Sequence, residues 1–486
     1  MASELVEAFK IDTEIPPADF DDLLRFIVQY YILKKQEFFR NVNRTTVNND
    51  PVLTFALIYP KTEGFVDVEM RARKPIEVTM TPSDEMVPRR VLEQIREDLE
   101  ILVQLFEEEV RKTTLYFSWI EGEEVIPEKI MATHQRATGR IFFDSMLPLF
   151  IIFIALNFFV FMYFGYYAPI ILVAVQFAMI FFSDKIIARL GDWTISQRNP
   201  SIHFLQYHLP VEEHRSFLQK YGIDQVMKMK REIYEMTIAA KGELDCQTAK
   251  DVFEKYGMEC KPENMSTKKV NVYQLVKSVA EKFDLPIPKI VLSNTMLPNA
   301  AATGISPSRG TVLITTGLLV QLEEDETLNV LGHEFSHLKG RDPLILFALS
   351  ISEFLFRLYV FFPFLFTLPS LTIFLFFEYL YFPIALGAIY FVGKFLESRA
   401  DLESAIKIGE PKVLAEALRK IGFRRLQFER IQAFRIQEWI GWDPHPPIYF
   451  RIGRLEKMET PVEERHPLIR SIKDVVSGLM AMLRPS

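Results

Sequence analysis

At 486 residues the chain is too long for one ordinary core, so two or three domains are expected. A net charge of −7, with no dense Lys/Arg run, argues against a nucleic-acid partner. Hydrophobic residues make up 49% of the chain, and its 42 Phe and 17 Tyr concentrate in two blocks that read as membrane.

In chain order, Met1-Ala2-Ser3-Glu4 lacks a basic region followed by an apolar core, so no cleavable signal peptide is expected. Residues 1–130 read as a separate soluble α+β domain. The pattern predicts a helix over Asp19–Arg40 and strands at Pro51–Ile58, Gly64–Arg71 and Pro75–Thr81. A helix capped by Ser83 and running through Arg111 follows, then a strand at Thr114–Ile120.

Ser145 to Ser183 carries no charged residue and is long enough for two spans. Turn residues Gly165 to Pro169 divide it into Met146–Phe164 and Pro169–Phe182, a transmembrane hairpin over 146–183. Asp184–Met265 reads as helical, and its His203, His208 and His214 do not share a helix face, which marks them as structural. Cys246 and Cys260 cannot build a disulfide framework, and a reduced, cytosol-facing compartment is the simpler expectation. A helix at Val272–Phe283, strands at Lys289–Ser293, Asn299–Thr303 and Thr311–Thr315, and a helix at Asp325–Gly340 complete the segment 184–342.

That last helix carries His333-Glu334-Phe335-Ser336-His337. Positions i and i+4 share a helix face, so both imidazoles can reach one ion while Glu334 lies beside it as a base for a metal-bound water. Imidazole and carboxylate donors with an open position suit zinc, one per chain.

A second apolar block, 343–393, has Glu353, Arg357 and Glu378 as its only charges and predicts spans near Leu344–Phe364 and Leu371–Val392. Glu353 and Arg357 share a helix face and should pair within protein, with Glu378 at similar depth. Arg136, Arg140, Lys185 and Arg189 flank the first hairpin, and Lys339, Arg341, Lys394 and Arg399 flank the second. By the positive-inside rule, a multi-pass cell-membrane protein with both termini and the metal site in the cytosol is expected. Residues 394–486 then close the catalytic domain. Glu397 is the best third ligand. Asp401, one helical turn on, can orient a ligating histidine.

The His333–His337 motif, a membrane hairpin and Glu397-Ser398-Arg399-Ala400-Asp401 together resemble the HtpX family of membrane-bound zinc endopeptidases, relatives of the CaaX prenyl endopeptidases. Pro298 to Gly304, Thr315 to Leu319, Gly340 with Asp342, and His445-Pro446-Pro447 with Arg451-Ile452 extend the likeness over roughly residues 146 to 460. The resemblance implies a mainly helical α+β membrane protein with about four transmembrane helices and a gluzincin-type domain holding a small β-sheet. It further implies His333, His337 and Glu397 as zinc ligands, Glu334 as general base and acid, and Asp401 behind the ligands. His445 is implied as an oxyanion donor, Arg451 as a structural partner of a carboxylate, and Asn299 as substrate support. Ala300, Ala301 and Ala302 would let an extended protein or peptide substrate approach as an added strand. Unfolded or damaged membrane proteins are the expected substrates, with lipid as a further partner and oligomeric state unknown. A CaaX-type processing protease and a non-catalytic scaffold with structural zinc are the alternatives. The first would carry more spans, and the second usually uses four protein ligands.

Overall fold

The computed structural model describes residues 6–58, 64–83, 87–127, 147–367 and 370–483. In chain order it runs β1 (Glu7–Ile11), α1 (Phe20–Ile27), β2 (Phe39–Val47), β3 (Asp50–Ile58), β4 (Phe65–Arg71), β5 (Ile76–Pro82), α2 (Arg89–Arg111) and β6 (Thr114–Ile120). Next come α3 (Leu147–Phe164), α4 (Ala168–Phe181), α5 (Ser183–Leu190), β7 (Trp193–Ile195) and β8 (Ser201–His208). They are followed by α6 (Val211–Lys220), α7 (Ile223–Met236), α8 (Cys246–Lys255), β9 (Met265–Asn271), α9 (Val272–Phe283), β10 (Lys289–Ser293), β11 (Ala300–Thr303) and β12 (Thr311–Thr315). The remainder is helical: α10 (Thr316–Gln321), α11 (Glu324–Gly340), α12 (Asp342–Phe366), α13 (Leu371–Ile408), α14 (Pro411–Glu429), α15 (Gln432–Ile440), α16 (Ile448–Glu456) and α17 (Pro467–Leu483).

Two compact units emerge. The first joins Met1–Trp119 with His203–Lys268, and the second joins Ile120–Ile202 with Lys269–Ser486. In the first, an antiparallel sheet in the order β1-β5-β4-β3-β2 carries the core. Alternation along β4 buries Val66, Val68 and Met70 and leaves Asp67 and Glu69 outside. Leu23, Leu24 and Ile27 of α1 and Ile95, Leu99 and Val103 of α2 belong to the same core.

The helix expected over Asp19–Arg40 ends as an α-helix at Ile27, continues as π and 3-10 turns, and gives way to β2. Phe39 packs edge-on against Tyr31 and Phe55, with centroids 5.0 and 5.6 Å apart, and pairs with Leu57 across the sheet. Tertiary packing here overrides local pattern.

Asp184–Met265 is likewise not uniformly helical. It contains β7 and β8, and β8 lies between β6 and β9 in a three-stranded sheet. That long-range pairing leaves no local period, and it draws His203–Lys268 into the first unit instead of the segment 184–342. His208 Nε2 stands 2.9 Å from Asp19 Oδ2. Cys246 and Cys260 are joined as a disulfide, with Cα atoms 5.5 Å apart. This corrects the expectation drawn from two reduced thiols.

In the second unit the sheet order is β11-β12-β10-β7, with β10 and β12 parallel and β11 antiparallel at the edge. Helix α11 packs between this edge and α13. Glycine makes the second approach possible: a Cβ on Gly332 would lie 2.6 Å from Ser404 Oγ, and one on Gly340 only 2.2 Å from Arg399 Nη2. Ser404 Oγ donates to Asn329 O at 2.8 Å and Ser336 Oγ to Glu403 Oε2 at 2.8 Å, fixing the two helices in register.

Among the described residues, two helices are long and apolar enough to cross a membrane, Asp342–Phe366 and Leu375–Ile408. The pair α4 and α5, bent by 59°, adds a third if it acts as one span. The expected count of about four is therefore not reached by these helices alone. Glu353 and Arg357 are paired at 2.9 Å, with Tyr381 Oη donating to Glu353 at 3.3 Å. The Glu378 side chain, Arg136 and Arg140 lie outside the described residues.

Candidate metal centre

Helix α11 begins with three consecutive acids, Glu324, Asp325 and Glu326, which suit its positive N-terminal dipole. Glu326 also accepts from the Glu323 N–H at 2.8 Å, closing the first turn. Two turns on, His333 and His337 share one face and meet edge-on, with ring centroids 4.8 Å apart. Helix α13 delivers Glu397 against them. His333 Nε2 is 3.3 Å from Glu397 Oε2, His337 Nε2 is 3.4 Å from Glu397 Oε1, and the two Nε2 atoms are 3.2 Å apart.

Three ligand atoms thus lie within 4.8 Å of one another. Three lone pairs facing one point repel unless a proton or a cation lies between them. Glu397 Oε2 is buried without a hydrogen-bond partner, which is the condition of a donor built for an ion. Two imidazoles and one carboxylate fit zinc, with a fourth position left open.

A further shell holds these groups in place. His333 Nδ1 is 2.9 Å from Asp401 Oδ1, and Arg451 clamps Asp401 through Nε at 2.9 Å and Nη2 at 2.7 Å. Burial disfavours charge on His333, but the adjacent carboxylates of Asp401 and Glu397 outweigh it and push the ring's pKa up to about 10. His337 Nδ1–H donates to Asp342 at 2.7 Å, and Asp342 is held in turn by Arg399 Nη2 at 2.7 Å. The αL turn at Arg341 (φ 53°) swings Asp342 back onto the helix end.

Asp342 was not assigned this contact from sequence. A carboxylate five residues past the second histidine is the signal, but it needs the left-handed turn to be meaningful.

Glu334 faces the sheet edge. Its Oε2 accepts the Ala302 N–H at 2.8 Å, so Glu334 and the edge strand are in direct contact. Both strands are tied to the start of α5: Thr303 Oγ1 of β11 donates to Ser183 Oγ at 3.1 Å, and Thr311 Oγ1 of β12 to Asp184 O at 3.4 Å. Asn299 is exposed at the start of this edge. Its N–H donates to Thr315 Oγ1 at 2.8 Å, and its carbonyl accepts from Thr315 N at 3.0 Å. These contacts engage its main chain in closing the sheet, away from the ligand cluster.

His445 approaches from the other side, with Nε2 3.6 Å from Glu397 Oε1. Its Nδ1–H and its backbone N–H both donate to Asp443 Oδ1 at 2.8 Å. Burial opposes protonation of His445, whereas the negative charges of Glu397 and Asp443 raise its pKa. Asp443 also escaped the sequence reading, though Asp-Pro-His is a compact turn that can place a carboxylate on its own histidine. Lys394 pins this loop by donating to the carbonyls of Glu438, Asp443 and His445.

The sequence is similar to those of known proteases. The sequence model described as Peptidase family M48 matches residues 266–459. The chain is 30% identical over 220 residues to a Protease HtpX homolog of Moorella thermoacetica, covering 40% of this chain and 74% of that protein. Protease HtpX homolog 1 of Streptomyces coelicolor is 29% identical over 40% of this chain and 72% of its own length. Protease HtpX homolog 2 of Methanosarcina acetivorans is 30% identical over 39% and 72%.

Proposed function

Because the chain belongs to peptidase family M48 and is an HtpX-like membrane metalloprotease, we propose that it hydrolyses extended segments of unfolded or damaged membrane proteins beside the bilayer. The observation that carries this reading is the 2.8 Å contact between Glu334 and the Ala302 N–H. It joins the base of the site to an edge strand, so a peptide paired along β11 would pass the metal ligands. Edge pairing reads main chain and not side chain, which selects for unfolded segments over a fixed sequence. Ala300, Ala301 and Ala302 keep that edge low enough for a close backbone approach.

His333, His337 and Glu397 would hold one zinc ion. When bound, zinc supplies a Lewis acid that polarises the scissile carbonyl and acidifies a water. Glu334 takes the proton of the attacking water and hands it to the leaving amine nitrogen. The new C–O bond forms first, and the C–N bond breaks once the amine nitrogen has taken that proton. His445, its pKa raised by the negative charges of Glu397 and Asp443, donates through Nε2 to the oxygen that gains charge. Asp401 and Asp342 keep both ligating rings turned with Nε2 inward. Arg451 acts on the site mainly by clamping Asp401, with Nη1 also 4.0 Å from Glu397 Oε2.

The basic flanks Lys185, Arg189, Lys339, Arg341 and Lys394 favour a multi-pass topology with this centre on the cytosolic side. The Cys246–Cys260 bridge favours the opposite placement, because disulfides persist mainly in oxidising compartments. Labelling of exposed lysines in intact cells by an impermeant reagent separates the two. Labelling of Lys457 from outside would overturn the cytosolic placement.

The test of the activity is cleavage of an unstructured protein by the detergent-purified chain, with zinc, with chelator, and as Glu334→Gln. Zinc-dependent cleavage that disappears in the variant at unchanged metal content is expected. Cutting of one defined site, with every unfolded protein left intact, would contradict the proposed substrate class.

A further inference from the structure

Helix α15 and its flanks expose Phe428, Ile431, Phe434, Ile436, Ile440 and Trp442. The helix is anchored by its other side. Trp439 is buried, its Nε1–H donates to Tyr449 Oη at 2.8 Å, and its ring packs against Phe450 at 5.0 Å. Ile436 and Ile440 are four apart and share an exposed face beside the buried Trp439, and Phe434 is exposed further round the helix. Phe428 and Phe434 close the patch, with ring centroids 5.7 Å apart. Scattered apolar residues on a surface need no explanation, but a contiguous run on one short amphipathic segment does.

The level of this helix is fixed. Lys394 Nζ donates to Glu438 O at 3.1 Å and to His445 O at 3.0 Å. One residue earlier, a Cβ on Gly393 would meet Pro444 Cβ at 2.7 Å, so the loop after α15 lies directly on α13. Lys394 is the first charge after the uncharged run Tyr379–Gly393 of α13. The loop is thus fastened at the point where a membrane-crossing helix leaves its apolar stretch, and α15 leads into that loop. Its charges also suit an anionic surface. Glu438 is paired with Arg425 at 2.6 Å, and Arg424 and Arg430 stand exposed beside the patch.

We propose that α15, with Phe428, Ile431 and Trp442, lies in the plane of the bilayer interface and docks on anionic lipid. An apolar face set in the acyl boundary, basic residues at the headgroups and a tryptophan at the interface are the physical requirements for such a helix. Continuity with α13 selects lipid over a protein partner. Because Lys394 joins α15 and the His445 loop, the docked helix also steadies the wall of the metal centre.

The test uses the full-length chain in vesicles of phosphatidylcholine and phosphatidylglycerol. A nitroxide is attached in turn at Ile436→Cys, Ile440→Cys and, as a control on an exposed loop, Glu459→Cys. The bridged native cysteines do not react. Collision with oxygen, which partitions into lipid, is compared with collision with a water-soluble nickel complex. The oxygen-to-nickel ratio should be roughly threefold or more higher at the two isoleucine positions than at the control. Retained Glu334-dependent cleavage shows that each labelled chain is folded. Equal nickel access at all three positions would overturn the proposal by showing a face open to water. Protection from both reagents at Ile436 and Ile440 would overturn it as well, by showing a face covered by protein.

Discussion

Two buried clusters of charge can be set side by side, one in each unit. In the first unit Glu107, only 3% exposed, accepts from Thr13 Oγ1 at 2.6 Å, from Glu14 N at 3.0 Å and from Arg111 Nη2 at 3.3 Å. Arg111 Nε also donates to Glu14 Oε2 at 3.1 Å. In the second unit, His333, His337 and Glu397 turn three lone-pair donors onto one point. Both clusters are buried, and both mix acids with bases. The difference is direction: in one, Arg111 and Thr13 turn donors toward the acids, while the other turns three acceptors onto one point. Burial alone marks cost. Convergence marks a site.

The largest effect expected is at the base. Glu334→Gln should lower the cleavage rate by about 10²–10⁴-fold and leave the bound metal in place, as elemental analysis would check. If metal left with the activity, Glu334 would be a ligand and the comparison would need redrawing.

Arg111→Met should do the reverse. Removing one partner of a buried ion pair costs about 3–5 kcal/mol, read as faster hydrogen exchange in the first unit, with zinc content and cleavage rate per folded molecule unchanged. Loss of zinc in this variant would show that the two clusters are not independent.

Asp342→Asn and Asp401→Asn should fall between these. Each leaves all three ligands present but loosens one ring, and metal affinity should weaken by about 10–100-fold in chelator competition. Unchanged affinity would reduce both carboxylates to helix–helix contacts.

The smallest effect concerns pH. Burial raises the pKa of Glu107 against the opposing charge of Arg111. The folded unit therefore binds this proton more tightly than the unfolded chain does. Its contribution to stability is present below the unfolded value and is lost as pH rises through the folded one. Glu107→Gln should flatten that decline in hydrogen exchange measured on the full chain against pH, and an identical slope would contradict it.

Legibility in the sequence follows the same division. The convergence of His333, His337 and Glu397 and the strand beside them could be read because each is written in a local spacing: i,i+4 on α11, i,i+4 on α13, and a short apolar run before a turn. The expected Thr311–Thr315 strand is β12 to the residue, and Asn299–Thr303 differs from β11 by one position. What stayed hidden depends on contacts far apart in the chain. No period announces that β8 pairs between β6 and β9, or that Cys246 lies against Cys260. Asp342 reaches His337 because Arg341 adopts a left-handed turn, a state that arginine rarely signals. The close crossing of α11 on α13 rests on Gly332 and Gly340, whose helical positions alone would suggest weakness and not a contact.

The central claim is that three converging side chains hold one metal ion for a base that is not itself a ligand. Zinc content of the full-length chain, measured by elemental analysis for the parent, Glu397→Ala and Glu334→Gln, tests this most directly. One zinc per chain in the parent and in Glu334→Gln, with zinc lost from Glu397→Ala, is the predicted result. Full zinc occupancy in Glu397→Ala would contradict it and place the third ligand elsewhere.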